Sequence, residues 1–137
     1  HFLDEDLTIH IRHLHHELGT LDTNPNHQDQ PDLNYYVNII NQHKPKIIKI
    51  ICSSEKNKIL IKIKEIYKDI VFHESKDDIY DFFNIMASNN LILSNSSFSF
   101  WASILSEAKN IYVPDIGIIK KIFSKKELNF KNNFIYE

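Results

Sequence analysis

Glycine, cysteine and long apolar runs are all scarce in this 137-residue chain, and each scarcity excludes something. Two glycines are too few for a glycine-rich phosphate loop, which needs several residues without a Cβ. The single cysteine, Cys52, excludes an internal disulfide and fits a reducing compartment, the cytoplasm. No run approaches the ~20 apolar residues of a membrane-spanning helix. The opening residues His-Phe-Leu-Asp-Glu-Asp do not form a basic-then-apolar leader. A net charge of −2 lacks the basic excess of a protein that tracks nucleic-acid phosphates. The chain begins with His1 rather than Met, as a fragment or a processed product would.

What remains is ordinary for one soluble globular domain: 42% apolar and 25% charged residues. Leu7–Arg12 alternates, with Leu7, Ile9 and Ile11 on one side and Thr8, His10 and Arg12 on the other, the period of a strand. Gly19 to Asp32 is rich in turn formers and reads as a long loop. Asp32 can cap a helix to about Gln42 with Tyr36, Ile39 and Ile40 inward. Lys46–Ser53 reads as a mostly buried strand. A helix from about Asn57 to Tyr67 follows, with Ile59, Leu60, Ile63, Ile66 and Tyr67 at helical spacing. Ile70–His73 is a short strand, and Ser75 with Asp78 resembles a capping box for a helix over Ile79–Ala87. Leu91–Ser94 is a strand, Ser97–Ala108 a helix, and Ile111–Val113 a strand stopped by Pro114. The tail after Gly117 predicts a loosely packed helix or extension, and Lys120, Lys121, Lys125 and Lys126 a solvated face with at most weak attraction to a membrane surface.

Strands alternating with helices predict an α/β fold: a Rossmann-like parallel sheet with helices on both faces and ligands beyond the carboxyl ends of the strands. Two strand ends carry polar clusters, His10 and Arg12 at the first and Asn95-Ser96-Ser97 at the fourth. Arg12 could hold a diphosphate by forked, charge-assisted hydrogen bonds, or sit in a surface salt bridge. The serines open a helix, where free N–H groups and the helix dipole favour an anion; the plainer reading is an ordinary serine cap. Histidines 10, 13, 15 and 16 with Glu17 invite a zinc reading, but a strand-like run splays them, and a polar loop lining a cleft fits better. Cys52 suits packing, and Phe100 and Trp101 suit the core.

Taken in order, His10-x-Arg12, Tyr35-Tyr36, Ile50–Ser54 (IICSS), Asp77–Met86 (DDIYDFFNIM), the run NSSFSFWA from Asn95, and Tyr112-Val113-Pro114 form a series. It resembles that of the α-1,2-fucosyltransferases and, more distantly, the α-1,6- and protein O-fucosyltransferases. The likeness runs from about Thr8 to Pro114, and its most specific element is Asn-Ser-Ser-Phe-Ser-Phe-Trp. It implies one domain of a two-domain GT-B glycosyltransferase, the half that binds the nucleotide sugar. It implies GDP-fucose as donor, a glycan as acceptor, inverting transfer to a sugar hydroxyl, and no metal. It would leave an acceptor domain missing from this piece. By position, Arg12 takes the donor diphosphate and His10 the guanine end. Asp81, sixteen residues before Ser97, reads the guanine; a solvated helix-start aspartate is the plainer alternative. Ser96, Ser97 and Phe98 meet phosphate or ribose.

The departures are local. After Arg12 stand His13-Leu14-His15-His16, where the family has Arg-Gly-Asp-Tyr. Ser54-Glu55 replaces an acidic pair, and Phe100 replaces a tryptophan. No general base follows from the sequence; Glu17 and Asp22 are loop candidates. Two alternatives stand beside this reading: a non-catalytic binding or structural domain of the same fold, and a transferase for another nucleotide sugar.

Overall fold

A computed structural model describes residues 6–13, 30–75, 77–117, 119–120 and 133–136. The strands are β1 (Asp6–Ile11), β2 (Ile47–Cys52), β3 (Ile70–Glu74), β4 (Asn90–Ile92), β5 (Asn110–Val113) and β6 (Phe134–Tyr136). Between them lie helices α1 (Leu33–His43), α2 (Lys58–Ile66), α3 (Asp78–Met86) and α4 (Ser97–Ile104). The six strands form one sheet in the order β3-β2-β1-β4-β5-β6, and all its pairings are parallel. The order reverses between β1 and β4, where adjacent strands send their crossovers to opposite faces. In such sheets this is where a crevice opens at the carboxyl ends.

Each helix starts at a residue that bonds its otherwise unsatisfied N–H groups. Asp32 accepts from Tyr35 N at 3.1 Å, Asn57 from Ile59 N and Leu60 N, and Ser96 from Ser99 N. Helix α1 ends at Lys44, whose φ of 53° is left-handed and whose N–H returns to Ile40 O; Pro45 follows and cannot continue the helix.

Period two along the strands divides the core. Leu7, Ile9 and Ile11 of β1 and Ile48 and Ile50 of β2 pack with Tyr36, Ile39 and Ile40 of α1 and Leu60 and Ile63 of α2. On the other face Ile51, Leu91, Leu93, Ile111 and Val113 pack with Ile85 of α3 and Phe100 and Ala102 of α4. The loop after β5 closes on the loop after β4. Gly117 there has a φ of +55°, and a Cβ would fall 2.1 Å from the Asn95 side chain, so only glycine fits.

Several expectations need correction. Ser75 does not cap α3; Asp77 does, accepting from Ile79 N and Tyr80 N. Helix α4 stops at Ile104 rather than Ala108. Ser103 Oγ donates to Phe100 O and Ser106 Oγ to Ser103 O, both at 2.6 Å, and such back-bonding competes with helix continuation. Trp101 is not in the core but 57% exposed, whereas Phe100 is fully buried. Ile66 is half exposed. The tail supplies a sixth strand to the sheet, since Phe134-Ile135-Tyr136 offers three β-favouring residues to the edge of β5. The loop residues 14–29 and the lysines 121, 125 and 126 lie outside the described residues.

Candidate functional site

At the carboxyl rim, on the α3–α4 side, a cavity of about 340 Å³ is lined by His10, Ile11, Arg12, His13, Ser53, Ser75, Asp78, Asp81 and Phe98. The strands β1, β2 and β3 deliver the first six from their ends; α3 and α4 deliver the rest. Four of the six residues expected at a nucleotide site therefore meet here: His10, Arg12, Asp81 and Phe98. Ser96 and Ser97 do not border the cavity. Ser96 is buried, and its hydroxyl accepts the Ser99 N–H at 3.5 Å while Ser99 Oγ returns a bond to Ser96 O at 3.2 Å. Ser97 is the half-buried first residue of α4.

The pairing of Ile9 with Ile92 sets the two polar strand ends side by side. His10 Nδ1 shares a hydrogen bond of 2.9 Å with Ser94 Oγ, and its ring sits 6.2 Å from that of Phe98. Burial, and then the Arg12 guanidinium, push the His10 pKa down to about 4. The imidazole is thus neutral at pH 7. With Nδ1 on Ser94, Nε2 has no partner among the described residues, so it can exchange a hydrogen bond with a ligand. Arg12 follows β1 directly; its Nε is buried and has no hydrogen-bond partner among the described residues. A buried N–H without an acceptor costs ~1–3 kcal/mol, and an entering anion would relieve it.

Asp81 is 3% exposed, so the plainer alternative of a solvated aspartate fails. Ser75 Oγ donates to its Oδ2. Its Oδ1 lies 3.2 Å from His73 Nε2 but accepts no aligned hydrogen bond. Among the described residues, the cavity therefore holds a buried Arg12 Nε–H with no acceptor and a buried Asp81 Oδ1 that accepts no hydrogen bond. Phe98 forms part of its apolar wall, edge-on to Phe82 with ring centres 5.5 Å apart.

Sequence reasoning gave no binding role to Ser53, Ser75 or Asp78, and placed His13 only in a polar loop lining a cleft. Ser53 and Ser75 follow β2 and β3 directly, so the rule that ligands lie beyond strand ends could have found them. His13 is buried, with Nδ1 3.2 Å from Asn57 Nδ2; it links the cavity rim to the cap of α2. Cys52 is buried within β2, its thiol 3.6 Å from Ser54 O, as a packing residue would be. His15, His16, Glu17 and Asp22 lie outside the described residues.

No helix among the described residues is long and apolar enough to cross a membrane. No curated protein and no solved structure matches the chain. A protein-family model described as Glycosyl transferase family 11 matches residues 9–137.

Proposed function

Because the chain belongs to glycosyl transferase family 11, the α-1,2-fucosyltransferase family that its motifs resemble, we propose that its rim cavity binds GDP-fucose for inverting transfer to a glycan hydroxyl. The observation that carries this reading is a pair of buried groups that make no hydrogen bond among the described residues, Arg12 Nε and Asp81 Oδ1. A nucleoside diphosphate brings what each needs: phosphate oxygens for the arginine and base N–H groups for the carboxylate. Guanine suits Asp81 better than other bases. Its N1–H and 2-amino group donate side by side, whereas adenine pairs a donor with an acceptor and uracil offers a single N–H.

In the transfer, the acceptor oxygen attacks the anomeric carbon as the bond to the diphosphate breaks on the opposite face. Charge then develops on the leaving GDP. Arg12 stabilises it, helped by the N-terminus of α4, where the helix dipole favours an anion. This assigns the diphosphate's charge to protein groups and calls for no metal. His10, neutral beside Arg12, offers a hydrogen bond to the nucleotide without adding charge. The acceptor and the base that activates its hydroxyl would come from outside the described residues, in keeping with a donor-binding half of a larger enzyme.

The test is calorimetric titration with GDP, ADP and UDP, in wild type and in Asp81→Asn. Asparagine keeps the shape but turns one oxygen into a donor that opposes guanine N–H groups. GDP should bind preferentially, and Asp81→Asn should weaken GDP about tenfold or more while leaving ADP nearly unchanged. Equal weakening of both would remove Asp81 as the reader of the base. Equal wild-type affinity for the three nucleotides would point to another donor.

A further inference from the structure

The Asp81 carboxylate is not left to choose its own orientation. His73 and Ser75 stand two residues apart at the end of β3, so strand periodicity turns both side chains to the α3 face, while Glu74 between them is exposed. Ser75 N donates to Cys52 O at 3.0 Å, which continues the β2–β3 ladder one residue past the strand and fixes where Ser75 sits. A short connection then leads to Asp77, the cap of α3, and the first turn of that helix returns Asp81 over the two strand residues. Each carboxylate oxygen meets one of them: Oδ2 accepts from Ser75 Oγ, and Oδ1 lies 3.2 Å from His73 Nε2. The His73 ring is braced by Tyr80, with ring centres 5.0 Å apart.

We propose that His73 and Ser75 are positioning residues that set base specificity by holding the plane of the Asp81 carboxylate toward the cavity. The inference rests on Asp81 reading guanine. Two parallel N–H groups on a base can be accepted together only when the two oxygens lie in their plane. A carboxylate free to turn about its terminal torsion, which has broad minima, would lose that match for guanine. It would lose little for adenine, which presents no such pair. The two tethers divide the work. Ser75 supplies an aligned hydrogen bond to Oδ2. His73 Nε2 stands 3.2 Å from Oδ1 without completing a hydrogen bond, so it limits how far the carboxylate can turn and leaves the oxygen's lone pair for the ligand.

The experiment measures dissociation constants for GDP and ADP in wild type, Asp81→Asn, His73→Leu, His73→Gln and Ser75→Ala. His73→Leu and Ser75→Ala should each shrink the preference for GDP over ADP, by a few-fold for the first and about tenfold for the second, with ADP affinity unchanged. Gln places its amide nitrogen near the position of the imidazole Nε2, so His73→Gln should keep most of the preference. Rescue by Gln but not Leu separates positioning from packing. If His73→Leu does not fold, Ser75→Ala and His73→Gln still carry the test. Equal loss of GDP and ADP in His73→Leu, or an unchanged preference in both His73→Leu and Ser75→Ala, overturns the proposal while leaving Asp81 as reader. If Asp81→Asn itself keeps the preference, the guanine reading fails first and the proposal with it.

Discussion

The two faces of the sheet are built from the same strands and do different work. Against α1 and α2 the strands present Leu7, Ile9, Ile11, Ile48 and Ile50, closed by Tyr36, Ile39, Leu60 and Ile63. Against α3 and α4 the alternate residues of β1, Thr8 and His10, are polar and buried, together with Ser94, Ser99, Ser103 and Asp81. The outer surfaces differ too: Ile79, Tyr80, Phe83 and Trp101 stand more than half exposed on α3 and α4, as does Leu105 at the end of α4. One face spends its side chains on packing. The other accepts buried polar groups that weaken a core and gains a cavity with unsatisfied donors and acceptors. Parity along β1 makes the division, since a one-residue shift of register would exchange its faces.

If the α1–α2 face is support alone, breaking it should cost stability and nothing else. Ile63 is fully buried there, and Ile63→Ala should lower the unfolding free energy by about 2–5 kcal/mol. GDP affinity of the folded protein, measured well below its melting temperature, should not change. A loss of affinity that outlasts refolding controls would show that the two faces are mechanically coupled and would break the comparison.

The polar face should answer to pH. His10 has its pKa lowered to about 4 in the folded protein from an ordinary 6.5. As pH falls below 6.5 the unfolded chain takes up a proton that the folded chain refuses until about pH 4. Stability should therefore be intact above that upper value, drop across the window, and fall no further from this group below it. The contribution is on the order of 3 kcal/mol. Comparing the acid limbs of urea melts for wild type and His10→Asn isolates it, because asparagine can keep the bond to Ser94 but cannot titrate. Superimposable limbs would mean that His10 charges freely in the folded state.

Much of this division was legible in the sequence because period two and period 3.6 are strong local signals. The alternation of Leu7 to Arg12, the inward set Tyr36, Ile39 and Ile40, and the strand–helix order all appear in the structure. The first and fourth strand ends do face one rim, as expected, but the bond that joins them runs from His10 to Ser94 rather than to the Asn95-Ser96-Ser97 cluster. Four features were not legible, each for a physical reason. Whether Ser75 or Asp77 caps α3 depends on which oxygen is closer to the first-turn N–H groups, and both residue types cap well. The strand Phe134–Tyr136 is too short for its period to show among lysines and asparagines. The Trp101 side chain is apolar, and nothing local tells a helix which of its apolar residues the sheet will cover. The tethering of Asp81 by His73 and Ser75 is a contact between a strand end and a helix turn, and spacing alone does not reveal it.

The smallest of these effects falls on binding rather than on stability. Arg12 contributes a buried N–H with no acceptor among the described residues, so in the free protein it gains little from its surroundings and adds its charge beside His10. Arg12→Ala should leave thermal stability unchanged or slightly raised, which is unusual for a half-buried side chain, whose loss normally costs packing. In the complex the same N–H would face a phosphate oxygen, and a hydrogen bond to a charged group is worth about 1.5–3 kcal/mol. GDP affinity should therefore fall by that amount, and ADP affinity by the same amount, because both carry a diphosphate. The contrast with Asp81→Asn is then complete: arginine acts on every nucleotide diphosphate, aspartate on the base. A destabilised Arg12→Ala protein with unchanged GDP affinity would reverse the assignment, making Arg12 a structural residue and moving the diphosphate to another part of the rim.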